Sequence, residues 1–274
     1  MLNFLYKNFI GRRIRLPFTH TFFSKIGGSI ADSSVSRHFI KSFIKRNKID
    51  MSDYVVPDGG YPTFNEFFYR KLKPNKRLID TDSDSIISPA DSKLLVIPEI
   101  NAQAYFFVKT CKFDIESFLQ NKDLASEFVG GTVFLFRLAP KNYHRFHFPF
   151  DCVASQPQLI KGKLESVNPI VYKSGVQPLT ENERHLIILD SEKFGKVLFV
   201  PVGAMLVGKV VETYDPEKFH KKGDEIGYFA FGGSSIVMIF KKGVVTSDET
   251  FSQNSLHDRE TEVRMGHRVD KSID

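Results

Sequence analysis

Tyr228-Phe229-Ala230-Phe231-Gly232-Gly233-Ser234-Ser235-Ile236-Val237-Met238-Ile239-Phe240 sets a Gly-Gly-Ser-Ser run between two apolar runs of strand length. Such a run is ordinarily a turn or a linker. Linkers do not interrupt a sheet core, and only 41 residues run from Ser234 to Asp274. A hydroxyl beside a glycine carbonyl, held between strands, is a place where a backbone can attack itself.

Outward from this stretch the reading is mostly β. Short runs rich in β-branched and aromatic residues mark strands at Leu94–Ile97, Tyr105–Val108, Thr132–Leu138, His185–Leu189, Lys196–Val202, Met205–Glu212 and Ser235–Phe240. Thr63 with Glu66 three residues on forms a capping box that opens a short helix through Phe67-Phe68-Tyr69, and a second short helix is expected at Ile115–Gln120. The fold class this predicts is α+β: a β-rich core at 51–274 behind an N-terminal basic amphipathic helical region at 1–50.

The net charge of +6 divides unevenly. Residues 1–50 hold ten Lys or Arg against two acids, a balance of +8, while the remaining residues hold 28 against 30. One end of the chain therefore suits an anionic partner. Ser33 or Ser34 is placed to cap a helix through Lys48, with Val35, Phe39, Ile40, Phe43 and Ile44 on one face and Arg37, Lys41, Lys45, Arg46 and Lys48 over much of the rest. Phe4, Leu5, Phe9, Ile10, Phe18, Phe22 and Phe23 add apolar anchors. This pattern fits a helix lying on a membrane surface, and equally a helix docked on its own domain with solvated charges. No nucleic-acid motif accompanies the charge, so nucleic acid is not expected as a partner. The order of charges and apolar residues in Met1–Arg15 is wrong for a signal peptide, and no run of about 18 apolar residues occurs, so a spanning helix is not expected. Cys111 and Cys152 are too few for a disulfide framework and read as free thiols in a reducing compartment.

Three clusters can carry chemistry. Ser88-Pro89-Ala90-Asp91 is a turn directly before the Leu94 strand, where a lone Asp ordinarily serves an Asx hydrogen bond. Tyr143-His144-Arg145-Phe146-His147 lies between Pro140 and Pro149. In an extended chain its two histidines point to opposite faces; in a helical turn they share one, and the flanking prolines favour a short turn. Surface histidines or half of a metal site are the plainer alternatives, but the spacing to the cysteines fits no standard zinc motif and no metal is expected. The third cluster is the glycine–serine turn. Together they supply an acid, a histidine pair and a serine, although the G-x-S-x-G elbow of serine hydrolases is missing.

In these motifs the chain resembles the phosphatidylserine decarboxylase proenzymes, a pyruvoyl-dependent family. The resemblance runs from Thr63-Phe64-Asn65-Glu66-Phe67-Phe68 through Ser88-Pro89-Ala90-Asp91, the Tyr143–His147 run with Pro149, Asn168-Pro169, Asn182-Glu183-Arg184, Val202-Gly203-Ala204 and Gly233-Ser234 to Val263-Arg264-Met265-Gly266. Two positions depart. Ser92 stands where the family often has glycine, which would strain the backbone if φ were positive there. Gly-Gly-Ser-Ser replaces the commoner Leu-Gly-Ser-Thr and leaves a spare hydroxyl at Ser235.

The resemblance implies a mechanism. Removing CO₂ from an amino acid leaves a carbanion at Cα, which needs an electron sink; no natural side chain holds a ketone, so the protein makes one from serine. His147, oriented by Asp91, would take the Ser234 proton as the hydroxyl attacks the Gly233 carbonyl. The ester would eliminate to dehydroalanine and hydrolyse to a covalent pyruvoyl cofactor and ammonia. Chains 1–233 and 234–274 would stay together as a heterodimer, with a homo-oligomer compatible. His144 would protonate Cα during turnover. The implied substrate is phosphatidylserine, met on the anionic cytoplasmic face of the cell membrane by a peripheral protein. The rival readings are a pyruvoyl decarboxylase of a soluble amino acid and a non-catalytic basic membrane-binding protein.

Overall fold

The computed structural model describes residues 2–19, 27–100, 104–106, 111–204, 209–231, 234–246 and 248–273. Nine helices carry labels: α1 (Leu2–Lys7), α2 (Phe9–Phe18), α3 (Ile40–Asn47), α4 (Phe64–Phe68), α5 (Ile115–Leu119), α6 (Lys122–Ser126), α7 (Pro169–Tyr172), α8 (Pro178–Glu181) and α9 (Glu249–Leu256). The strands are β1 (Ser85–Ile87), β2 (Ser92–Ile97), β3 (Ala104–Phe106), β4 (Cys111–Phe113), β5 (Thr132–Leu138), β6 (Arg145–His147), β7 (Cys152–Ala154) and β8 (Gln158–Ile160). They continue with β9 (Arg184–Ser191), β10 (Gly195–Val202), β11 (Val210–Glu212), β12 (Phe219–His220), β13 (Glu225–Phe229), β14 (Ser234–Phe240), β15 (Thr261–Val263) and β16 (Arg268–Lys271). The protein is α+β with a β-rich core. Phe107 and Val108 of one expected strand, and Met205–Gly208 of another, lie outside the described residues, as do Phe22, Phe23, Gly232 and Gly233.

The main sheet runs β12-β7-β9-β10-β14-β5-β2-β15, with β8 also on β9. β14 lies in its middle, antiparallel to β10 on one side and to β5 on the other. All seven of its residues are buried, because both faces of the sheet are covered. On one face Phe134, Phe136, Leu138, Ile236, Met238 and Phe240 meet Phe146 and Phe229 of a second, three-stranded sheet, β11-β13-β6, together with Phe148 just after β6. On the other, Val133, Leu135, Val237 and Ile239 meet Phe113, Ile115, Phe118 and Phe128 around α5 and α6. Continuous apolar runs are what a strand buried on both faces requires.

The short helices begin where their caps place them. The Thr63 hydroxyl accepts from the Glu66 N–H at 3.2 Å to open α4, and Asp114 caps α5 by accepting from the Ser117 N–H at 2.8 Å. The helix expected through Lys48 is broken in two: Ser34–Phe39 is a 3₁₀ helix, and α3 follows, ending on Lys48 at φ 51°. Ser33 makes no side-chain cap, because its hydroxyl donates to the Ile30 carbonyl instead. The expected apolar face also divides. Ile40 is buried, and Phe43 and Ile44 pack with it against Phe64, Phe67, Phe68 and Phe231, while Val35 and Phe39 are exposed.

The glycine at Gly227 lets β13 approach β11. A Cβ there would lie 2.1 Å from the Val211 carbonyl oxygen, at the irregularity in β13 that falls opposite His147 and Phe146 of β6. Gly227→Ala is expected to lower stability by about 1–3 kcal/mol through overpacking and to loosen β6. Urea unfolding followed by circular dichroism measures it, and a midpoint equal to that of the parent protein defeats this reading.

Candidate active site

Ser234 is the first residue of β14, with Leu138 of β5 opposite it. Side chains alternate along a strand, so Ser234 shares the face of Ile236, Met238 and Phe240, toward the sheet that carries β6. Ser235 shares the face of Val237 and Ile239, toward α5 and α6. Both hydroxyls are buried with no hydrogen-bond partner among the described residues. An unpaired buried hydroxyl costs roughly 1–3 kcal/mol, so two in succession at the start of the central strand call for a reason beyond folding. The alternation distinguishes them: only Ser234 faces the layer that holds the histidines.

The histidine segment is not a turn. Arg145–His147 is the strand β6, paired with β13, because the prolines only punctuate its ends while its backbone groups find extended partners. The His147 N–H donates to the Pro89 carbonyl at 2.9 Å, and the His144 carbonyl accepts from the Phe229 N–H at 2.9 Å. The two imidazoles accordingly sit in different surroundings. His144 lies against the Phe68 ring, with centroids 3.9 Å apart. Its Nδ1 is 2.9 Å from the Asn142 carbonyl oxygen, so Nδ1 carries the proton and donates. Its Nε2 is buried and has no hydrogen-bond partner among the described residues. His147 donates from Nδ1 to the Gly223 carbonyl at 2.8 Å, and its Nε2 takes the Tyr143 hydroxyl at 3.0 Å.

Asp91 does not orient His147 through a hydrogen bond. Its carboxylate is gripped by Arg77, at 3.0 Å from Nε and 2.6 Å from Nη2, and accepts from the Met265 N–H at 3.0 Å. The fork is the geometry guanidinium and carboxylate prefer, and no acceptor site is given to the imidazole. The turn nonetheless meets β6 through Pro89, and the Ser88 hydroxyl closes it on the Ala90 carbonyl at 2.8 Å. Ser92 sits in β2 and is not among the non-glycine residues with positive φ, so the glycine-to-serine departure brings no strain. Gly233 lies outside the described residues. Arg77 and Tyr143 are the two residues the sequence reading passed over: Arg77 stands in an unremarkable basic run, whereas Tyr143 adjoins His144 inside a motif already singled out.

The orphaned Ser234 hydroxyl fits a group whose partner is to be its own backbone, and thus fits a serine-derived ketone. Among the described residues no three His, Cys, Asp or Glu side chains are grouped to hold a metal. Cys152 is a free thiol in the core, pushed up to about 12 by burial. Burial, the dominant cause, holds both histidines below their ordinary range; for His144 burial and then the Arg70 charge push it down to about 3.

A folded-state pKa below the ordinary 6.5 of His144 means that the unfolded chain takes up a proton which the folded chain refuses. Stability is therefore complete above that value and is lost as the pH falls through it. Between pH 7 and pH 5 the loss from His144 is about 2 kcal/mol. Urea unfolding of the Ser234→Ala protein, with and without His144→Gln, measures it. The pH dependence should flatten in the double variant; equal slopes would refute the assignment.

Comparison with known proteins accords with this geometry. The family model described as phosphatidylserine decarboxylase matches residues 64–270. A phosphatidylserine decarboxylase proenzyme of Fusobacterium nucleatum is 40% identical over 97% of this chain and 89% of its own length. One from Chlamydia pneumoniae is 37% identical over 98% of this chain and 90% of its own. Proenzyme 3 of Schizosaccharomyces pombe is 41% identical over 89% of this chain but only 25% of its own length, so there the shared unit is part of a larger protein. The chain belongs to the phosphatidylserine decarboxylase family.

Proposed function

We propose that this chain is a proenzyme that cleaves itself between Gly233 and Ser234 and then converts phosphatidylserine to phosphatidylethanolamine and CO₂. The observation that carries the reading is the buried Ser234 hydroxyl at the start of the central strand, without a partner among the described residues and on the face turned toward β6. In maturation the Ser234 Oγ bonds to the Gly233 carbonyl carbon and the peptide C–N bond breaks. The hydroxyl proton passes to the imidazole of His147, whose Nε2 lone pair now holds the Tyr143 hydroxyl, and from there to the departing amine. Asp91 serves by holding the turn whose Pro89 carbonyl fixes the His147 backbone. The pyruvoyl group made from Ser234 supplies an electron sink for the Cα carbanion. His144 handles the proton at Cα.

Cleavage at this bond leaves the two chains interlocked. Every strand of 234–274 pairs with a strand of 1–233: β14 with β10 and β5, β15 with β2, and β16 with β1. The Met265 N–H on Asp91 and the Arg137–Glu260 fork cross the same divide. This pairing supports a stable heterodimer of the two chains.

The N-terminal helices supply the membrane contact. Phe9, Ile10, Val35 and Phe39 are each more than 60% exposed, and Arg13, Arg37, Lys41, Lys45 and Arg46 are exposed beside them. Among the described residues no helix is long and apolar enough to cross a bilayer. Apolar anchors with basic residues suit an anionic surface, each cation adding about 1 kcal/mol, and a peripheral location fits them.

Intact-mass analysis tests maturation: the parent protein should yield a 1–233 fragment and a 234–274 fragment with a blocked, ketone-bearing terminus. Ser234→Ala should stay one chain and Ser235→Ala should still cleave; the reverse pattern would overturn the assignment. For the membrane, a vesicle-sedimentation assay with phosphatidylserine should show Arg37→Glu/Lys41→Glu/Lys45→Glu bound at least tenfold more weakly. Unchanged binding would favour a decarboxylase of a soluble amino acid.

A further inference from the structure

Arg70 is among the most deeply buried side chains of the molecule, 1% exposed, and among the described residues no carboxylate pairs with it. Burying a charge without an opposite charge is costly unless hydrogen bonds take its place. Carbonyl oxygens do so here. Nη1 donates to Phe67 and Phe68 at the end of α4, both at 3.4 Å. Nη2 donates to Lys141 at 3.0 Å and Asn142 at 3.3 Å. The guanidinium also lies over the Tyr54 ring, 4.1 Å from its centroid, and 5.0 Å from that of Phe67.

The Asn142 carbonyl is the group that holds His144 Nδ1. It belongs to a tight turn following β5, in which Ala139 and Asn142 bond each other: the Asn142 N–H donates to the Ala139 carbonyl, and the Asn142 Oδ1 accepts from the Ala139 N–H, both at 2.8 Å. That turn joins Leu138, opposite Ser234, to His144. We propose that Arg70 is a positioning residue for His144: it pins the Lys141 and Asn142 carbonyls and thereby holds the imidazole as the Nδ1–H tautomer, with Nε2 open to a reacting proton. An arginine is needed because one planar fork reaches both α4 and the turn, which a single ammonium cannot do.

This rests on the proposed role of His144. In that role Nε2 takes a proton from the incoming substrate ammonium, giving an imidazolium. When the Cα–carboxylate bond breaks and its electron pair stays behind, the Nε2 proton passes to Cα and the imidazole is neutral again. The product amine takes its final proton from solvent, so one proton is consumed for each CO₂ released. A cation beside the ring favours the return of that proton. The groups around His144 are the Phe68 ring and Arg70 from the α4 segment, the Asn142 carbonyl from the turn and Phe229 from β13; the one charge among the described residues that bears on the ring is Arg70.

The test is ¹⁵N NMR of histidine-labelled Ser234→Ala protein, which performs no decarboxylation, with His144 assigned by His144→Gln. With Arg70 present, His144 should show the neutral Nδ1–H signature at pH 5. Arg70→Lys, which keeps the charge but loses the fork, should mix the tautomers, and Arg70→Gln should raise the titration midpoint by one unit or more. Unchanged shifts in both folded variants overturn the proposal; failure of both to fold overturns it in favour of a purely structural role. In protein with Ser234 intact, Arg70→Lys should still mature by intact mass yet lose at least tenfold in kcat, with KM within twofold. If His144→Gln keeps full decarboxylase activity, the role of His144 fails while the NMR result on Arg70 stands apart.

Discussion

The pairing of β14 on both edges and the covering of both its faces is the constraint on which the rest depends. Ile236, Val237, Met238, Ile239 and Phe240 are each fully buried, and an apolar side chain taken wholly from water contributes roughly 1.5–3 kcal/mol. Five of them hold the strand by on the order of 10 kcal/mol before any ladder hydrogen bond is counted. A chain broken just ahead of Ser234 therefore keeps its strand in place, and the new terminus stays where the old peptide bond was. A reactive group built there inherits a buried, pre-formed setting instead of having to find one.

That setting carries a cost in unsatisfied polar groups. The buried side-chain atoms without partners among the described residues are Arg70 Nε, Ser92 Oγ, His144 Nε2, Ser234 Oγ, Ser235 Oγ and Ser272 Oγ. Five of the six belong to the Ser234-Ser235 pair, to the His144–Arg70 linkage or to the residue after Asp91. A core selected for stability alone would pair or replace them, since each costs about 1–3 kcal/mol. Ser234 and Ser235 open β14 and Ser92 opens β2, and unpaired polar groups at such positions are what a site held ready for chemistry looks like, tolerated because the surrounding sheet is over-determined.

How much of this was legible in the sequence depended on the range of the interaction. The strands through Thr132–Leu138 and Ser235–Phe240 could be read because burial on both faces writes itself as an unbroken apolar run. The Thr63 helix could be placed because its cap acts within three residues, whereas the Asp114 cap that opens α5 came only with the structure. Ser234 was legible as a motif, but its face was not: alternation separates it from Ser235 without saying which side meets β6. The partners of Asp91 were invisible, since Arg77 reaches it across a polar loop and Met265 from 174 positions away. Ser33 misled for a local reason, its hydroxyl satisfied by Ile30 before any helix could use it.

The histidine pair shows why the misread element matters most. Had His144 and His147 shared a helical turn, one environment would have served both, and their roles could be exchanged. His144 stands just before β6 and His147 ends it, and the extended chain between them gives the two rings different neighbours. Both rings give the Nδ1 proton to a carbonyl and both are kept neutral by burial, so tautomer and charge do not separate them. What separates them is Nε2: on His147 it holds the Tyr143 hydroxyl, and on His144 it has no hydrogen-bond partner among the described residues. A nitrogen already engaged through a hydroxyl suits a proton passed once during maturation. An open nitrogen, fixed by the carbonyl that Arg70 pins, suits a proton taken up and returned at every turnover. The extended backbone thus gives two identical side chains the two different settings that the proposed tasks call for.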